Sequence, residues 1–266
     1  MPFDTPSDTP SGTGAALEIR GVEKRFGPIV AVAGVDLSIP AGEICGLTGP
    51  NGSGKSTLFD CSTGLQKPSA GRVFAGGMEI TGWDMHRIVR EARVIRSFQK
   101  AVVFGAMTVE ENLVLSGQML GFPGVAGTFG VGPGTWGRVR RLRERAAHLL
   151  DLVGIAHMRY APAGRISFGQ QKLLQFASML MPEPRVILLD EPMAGVNPVL
   201  IERMMENVRR ANREEGITFV VVEHNLDAMK ALCHRLVVLS RGAVIADGTP
   251  QAVVQDPAVV EAYLAG

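Results

Sequence analysis

The sequence predicts an α/β fold built on a parallel sheet, and three observations carry that prediction. Residues 43–47, 186–189 and 218–222 are short apolar runs rich in β-branched side chains, as strands buried on both faces are. Segments with helical patterning separate them, the alternation expected of βαβ units. The first of these runs enters a glycine-rich turn, Gly49-Pro-Asn-Gly-Ser-Gly-Lys-Ser56, that opens a helical segment.

Residues 1–16 are polar and rich in Pro, Ser and Thr, without the basic start and apolar stretch of a secretion signal. They read as a disordered tail, with structure starting near Leu17. Residues 17–22 and 35–39 alternate apolar and polar side chains, the pattern of half-buried strands. Residues 55–65 read as a helix, and 72–74 and 78–80 flank Gly76-Gly77 as a hairpin. A helix is expected over 86–92 and a strand over 94–98. Thr108 followed by Glu111 has the spacing of a capping box at the start of a helix over 108–119. Eight of the 32 glycines, with two prolines, lie in 117–137, which excludes regular structure there and predicts a mobile loop. Helices resume over 138–153, 167–181 (stopped by Pro182 and Pro184) and 201–214, and 236–239 with 243–246 read as a final strand pair.

Composition narrows the function. Lys and Arg total 27 and Asp and Glu 26, so the basic footprint of a nucleic-acid binder is absent. Cys45, Cys61 and Cys233 form no CxxC pair and read as buried free thiols rather than a zinc site or disulfide framework. No apolar run is long enough to span a bilayer.

The turn at 49–56 fits G-x-x-x-x-G-K-[ST] in the context that motif needs, after a strand and before a helix. Glycines let backbone N–H groups face phosphate oxygens with no Cβ in the way, and the following helix points its positive end at the same anion. Lys55 would reach the β- and γ-phosphates of a nucleotide, and Ser56 would ligate Mg²⁺. The apolar run at 186–189 ends in Asp190-Glu191, placing one carboxylate to hold the metal and a second to deprotonate an attacking water.

Between these two lies Ser167-Phe168-Gly169-Gln170. With it the chain resembles the ATP-binding subunits of ABC transporters, from about Leu17 to Gly266. The motifs run in order: the phosphate loop, Gln99, the signature segment, Asp190-Glu191, the loop Ala194-Gly195-Val196-Asn197, and His224. The resemblance implies a P-loop NTPase fold with a RecA-like parallel core, an N-terminal antiparallel β subdomain, and an α-helical subdomain inserted at about 100–182. It places ATP against Phe26 (stacking on adenine), Val32, Asn51, Gly52, Ser53, Gly54, Lys55, Ser56 and Thr57. Mg²⁺ is implied at Ser56, Gln99 and Asp190, with Gln99 also reporting nucleotide state to a membrane partner. Glu191, His224 and Lys55 are the implied catalytic groups, His224 holding the γ-phosphate. Ser167, Phe168, Gly169 and Gln170 are implied to face ATP on a second subunit, and Asn197 belongs to the loop that couples the two. Two departures stand out: Ile166 and Phe168 replace the usual Leu and Gly of the signature, and Asn197 replaces the usual Asp.

Phe168-Gly-Gln-Gln, Ala-Gly-Val-Asn-Pro at 194–198, and the ending Asp256-Pro-Ala-Val-Val-Glu-Ala-Tyr-Leu resemble branched-chain amino acid importers. The insertion at 117–145 resembles the larger of that system's two ATPase subunits. Urea or amide importers and a lipopolysaccharide-exporter ATPase share parts of this pattern. The resemblance implies a second ATP-binding subunit, two transmembrane permeases and, indirectly, a secreted solute-binding protein, with this chain peripheral on the cytoplasmic face of the inner membrane. The basic set Arg138, Arg140, Arg141, Arg143 and Arg145 reads as a solvated helix face rather than a lipid-binding one. A soluble ABC ATPase of DNA repair or translation fits less well: there is one phosphate loop, and Gln99 and Ser167 are too close for a long coiled coil. A P-loop kinase or GTPase leaves Ser167–Gln170 and His224 unexplained.

Overall fold

The computed structural model describes residues 14–97, 103–118 and 133–264, with the side chains of 133–136 outside that description. The predicted α/β fold is present as two sheets with helices packed against the larger one. The smaller sheet is antiparallel, in the order β2-β1-β4-β5. Its strands are β1 (Ala15–Phe26), β2 (Ile29–Pro40), β4 (Ala70–Ala75) and β5 (Met78–Glu79). The first two run well past the expected 17–22 and 35–39. A bulge between Ile19 and Val22 resets the alternation, with Gly21 at φ 55 donating its N–H to Asp36 Oδ1 at 2.8 Å. The period-2 pattern therefore stops reading before the strand stops.

The larger sheet has the order β10-β9-β3-β8-β7-β6. It comprises β3 (Ile44–Thr48), β6 (Val94–Arg96), β7 (Val186–Asp190), β8 (Thr218–Val222), β9 (Arg235–Ser240) and β10 (Ala243–Gly248). All neighbours are parallel except the β9–β10 pair. Side chains along its strands alternate between two cores. Ile187 and Leu189, Phe219 and Val221, and Leu236 and Val238 face the helices; Val186 and Leu188, Val220 and Val222, and Val237 and Leu239 face the antiparallel sheet. Burial on both faces is why these runs are apolar throughout rather than alternating.

The helices follow their end signals. Helix α1 (Lys55–Ser62) leaves the phosphate loop, and α2 (Met85–Arg87) continues as a π turn to Ala92. Helix α3 (Val109–Gln118) has the expected capping box: Thr108 N donates to Glu111 Oε2 at 2.8 Å, and Glu111 N to Thr108 Oγ1 at 3.2 Å. Helix α4 (Pro133–Leu152) begins before the expected Arg138, and α5 is Phe168–Leu180. Helix α6 (Pro198–Glu215) starts earlier than residue 201 because Asn197 caps it and Pro198 supplies the first turn. Short helices that periodicity cannot resolve complete the chain: α7 (Leu226–Leu232), α8 (Pro250–Val253) and α9 (Pro257–Leu264).

All three cysteines are free and buried; burial pushes the Cys45 thiol up to about 12 and that of Cys61 to about 11. The basic face of α4 is not uniform. Arg140 pairs with Glu144 in solvent, whereas Arg145 is drawn inward to Glu215 Oε2 at 2.5 Å, which corrects its reading as a solvated residue. Gln99, and residues 119–132 of the glycine-rich segment, lie outside the described residues.

Candidate nucleotide site

The order β3-β8-β7 sets three motifs side by side at the carboxyl ends of parallel strands, where open α/β sheets place ligands. Thr48 ends β3 and leads into the phosphate loop, β7 ends at Asp190, and β8 leads into Glu223-His224.

The loop is a backbone cradle. A Cβ on Gly49 (φ 143) would sit 2.0 Å from the Leu239 carbonyl oxygen, and one on Gly54 (φ 102) 2.3 Å from that of Ala31. Gly52, at φ 75, faces open space. Gly54 is also the N-cap of α1, which receives no side-chain cap, so the first-turn N–H groups of that helix are left to an anion. Lys55 is buried under the loop, its Nζ donating to Gly49 O at 2.8 Å, Pro50 O at 3.0 Å and Ser53 Oγ at 3.3 Å. Burial lowers its pKa, and the nearby Glu191 and Asp190 carboxylates oppose that shift. Asn51, Gly52 and Ser56 are exposed, Gly54 and Thr57 half-buried, and Ser53 buried.

Asp190 is buried and held from the β6 side. Arg96 Nη2 donates to Asp190 Oδ2 at 2.6 Å and Arg96 Nη1 to Asp60 Oδ1 of α1, while the Asp190 N–H donates to Ser97 Oγ at 2.8 Å. Ser56 and Asp190 offer the hydroxyl and carboxylate oxygens that suit a hard divalent cation, a donor set that fits Mg²⁺. Glu191 follows with φ 47, a left-handed conformation that costs a non-glycine residue of order 1–3 kcal/mol and is concentrated at functional sites. Its N–H donates to Val222 O at 2.9 Å, and its Oε1 lies 3.0 Å from His224 Nε2. The two residues assigned to water and to γ-phosphate thus meet directly.

The signature segment forms the start of α5. Ser167 Oγ accepts from Gln170 N at 3.3 Å, and Gln170 Oε1 from Ser167 N at 2.8 Å, a full capping box. Phe168 is 58% exposed, a large apolar side chain turned to solvent, and Gly169 lies against Leu200. Asn197 Oδ1 accepts from Leu200 N at 2.9 Å, so Asn keeps the N-cap that Asp would provide. Phe26 is 45% exposed at the β1–β2 turn with Lys24 Nζ 5.0 Å from its ring centroid. Val32 is different: at 0% exposure it belongs to the core between the sheets and offers no side-chain surface to a base.

Sequence reasoning missed Arg96, Asp60 and Glu223. Arg96 is a charge that ends an apolar strand shortly before Gln99, and Glu223 an acid beside His224; both were visible as interruptions of apolar runs. Glu223 is buried, accepting from Met193 N at 2.6 Å and His224 N at 3.2 Å, and burial pushes its carboxyl above the usual range.

A glycine cradle at a helix start, a buried lysine under it and adjoining carboxylates at a strand end define a P-loop nucleotide-binding domain. Residues 32–194 match the ABC transporter family pattern, and the chain belongs to that family of ATPases. Residues 243–264 match a second pattern, that of branched-chain amino acid ATP-binding cassette transporters. The chain is 36% identical to the Pseudomonas aeruginosa protein BraF, described as a high-affinity branched-chain amino acid transport ATP-binding protein, over 93% of this chain and 97% of BraF. It is 31% identical to Escherichia coli LivG, of the same description, over 93% and 97%. Among solved structures it is similar to the ADP conformation of an ATP-binding cassette of an ABC transporter, with TM-score 0.82, 32% identity, and coverage of 96% of this chain and 100% of that one. It is also similar to a dimeric cassette in a post-hydrolysis state with ADP and Pi, with TM-score 0.71, 25% identity, and coverage of 88% and 98%. No described helix is long and apolar enough to cross a membrane.

Proposed function

We propose that this chain is the ATP-hydrolysing subunit of an ABC importer that energises uptake of branched-chain or hydrophobic amino acids through partner permeases. The observation that carries the substrate class is the match of the terminal segment 243–264, together with relatives such as BraF and LivG that align over nearly their whole length.

In this reading the phosphate loop Asn51–Thr57 wraps the nucleotide phosphates with backbone N–H groups, and the Lys55 ammonium neutralises the β- and γ-phosphates. Phe26 stacks on the base. Ser56, Asp190 and Gln99 would hold Mg²⁺, whose positive charge would stabilise the transferring phosphoryl group. Glu191 takes a proton from the attacking water as the water oxygen bonds to the γ-phosphorus and the bond to ADP breaks, leaving ADP and phosphate. His224 leaves Glu191 to donate to the γ-phosphate. Ser167, Phe168, Gly169 and Gln170 present the capped start of α5 to ATP on a second ATP-binding subunit, and Asn197 sits at that contact. Two permeases and a secreted solute-binding protein complete the assembly, which puts this chain on the cytoplasmic face of the inner membrane.

Removing the gene from its host tests the reading. High-affinity leucine, isoleucine and valine uptake should be lost and restored by the wild-type chain but not by Lys55→Ala. Normal uptake of all three in the deletion strain contradicts the proposal.

A further inference from the structure

Glu223 touches three pieces of the site at once. Its carboxylate accepts the Met193 N–H at 2.6 Å and the His224 N–H at 3.2 Å. Met193 lies just past Glu191 in the loop toward Asn197, and His224 Nε2 returns to Glu191 Oε1 at 3.0 Å. A closed ring results: Glu191, His224, Glu223, Met193, and back along the chain to Glu191. Two converging N–H donors call for two acceptor oxygens, which an ionised carboxylate supplies and an amide does not.

The Glu223 carbonyl extends the network outward. Thr48, the last residue of β3 before the phosphate loop, donates its hydroxyl to Glu223 O at 3.2 Å. That leaves Thr48 Oγ1 as the acceptor of its second bond, from the Tyr263 hydroxyl at 2.6 Å. Tyr263 lies in α9, half-buried against the helical core. The chain Tyr263 O–H to Thr48 O–H to Glu223 C=O runs in one direction, the arrangement in which successive hydrogen bonds strengthen one another.

We propose that Glu223 is a positioning residue for hydrolysis, clamping the Glu191 loop to the His224 loop, and that Tyr263 is the outer anchor of the same network. The terminal helix α9 then sets the hydrolysis rate without touching the nucleotide. This rests on the ATPase assignment, and the wild-type rate in the complex with the second ATP-binding subunit separates the two: no hydrolysis by that wild-type complex fails the assignment, whereas hydrolysis indifferent to these variants fails the inference.

The test compares steady-state ATP hydrolysis and ATP-analogue binding in the full chain within that complex. Glu223→Gln keeps the shape but presents an NH₂ group to one of the two N–H donors. Loss of one charge-assisted bond should lower kcat about tenfold while KM for ATP stays within about threefold, because the phosphate loop is untouched. Glu223→Asp, with both acceptor oxygens, should recover part of kcat. Tyr263→Phe deletes one hydroxyl on a half-buried helix and should lower kcat by a few-fold at unchanged KM, with no further loss when added to Glu223→Gln. Wild-type kcat in Glu223→Gln overturns the clamp, as does a parallel loss of kcat and nucleotide binding. If Glu223→Gln fails to fold, Tyr263→Phe decides alone, and wild-type kcat in that variant overturns the proposal.

Discussion

Arg96 is the most consequential side chain that no motif marks, and replacing it with Met gives a quantitative prediction. Its side chain is 9% exposed and bridges Asp190, at 6%, to Asp60, at 29%. Met keeps most of the volume and removes the charge. Asp60 can turn toward water, but Asp190 stays buried, with Lys55 as the nearby positive charge that remains among the described residues. Breaking a buried pair by deleting one partner costs about 3–5 kcal/mol. The residual compensation from Lys55 and the partial exposure of Asp60 place Arg96→Met at the lower end, about 3 kcal/mol. At roughly 2–4 °C per kcal/mol for chains of about this size, Tm should fall by about 6–12 °C. Differential scanning calorimetry of the nucleotide-free protein reads this directly. Adding Asp190→Asn to Arg96→Met removes the orphaned charge and should return at least about half of the loss. A fall below about 2 °C, or no recovery in the double variant, refutes the claim that Arg96 holds Asp190 by charge.

Other consequences follow from the same geometry. Gly49→Ala puts a Cβ against the Leu239 carbonyl and forces the cradle open, so ATP-analogue affinity, measured by fluorescence titration, should fall at least about tenfold. Asn197→Ala removes the α6 cap and should cost about 1 kcal/mol in chemical denaturation, whereas Asn197→Asp keeps the cap and should be neutral or slightly stabilising. The Arg145 guanidinium, opposed by burial and helped by the His148 contact, holds the Glu215 carboxyl below its ordinary value. Its stabilising contribution is therefore fully present above the unfolded value of about 4.3 and is lost as pH falls through the lower folded value. Glu215→Gln should flatten the acid limb of the stability curve below about pH 4.3, and an unchanged limb would remove this pair from the account.

The parts of the fold legible in the sequence were those fixed by local chemistry. Thr218–Val222 is legible to the residue because burial on both faces makes it apolar apart from Thr218, whose hydroxyl oxygen accepts the Gly42 N–H at 2.9 Å. The start of α5 is legible because Ser167 is a good helix N-cap, and the structure adds the reciprocal Gln170 bond. Strand β1 was cut short because Gly21 shifts the register and hides the alternation beyond it. The short helices α7 and α9 leave too few turns for periodicity to show, although Asn225 caps α7 through the Ala228 N–H at 3.0 Å. For the site, Lys55, Asp190 and Glu191 were readable because their motifs are contiguous. The Arg96–Asp190 pair and the Glu223–Thr48–Tyr263 network were not, since each joins residues from different strands and helices that only the order β3-β8-β7-β6 and the docking of α9 bring together. Val32 shows the converse: the family resemblance implies a ligand contact there, and its position on the inward face of β2 gives it to the core.

The central claim is that Glu191, as general base, performs ATP hydrolysis above the phosphate loop. Glu191→Gln tests it most directly, by phosphate release and ATP binding measured on the same full-length preparation. The account predicts hydrolysis reduced at least about a hundredfold, the contribution of a general base, with ATP binding retained. Hydrolysis at the wild-type rate in that variant would contradict it.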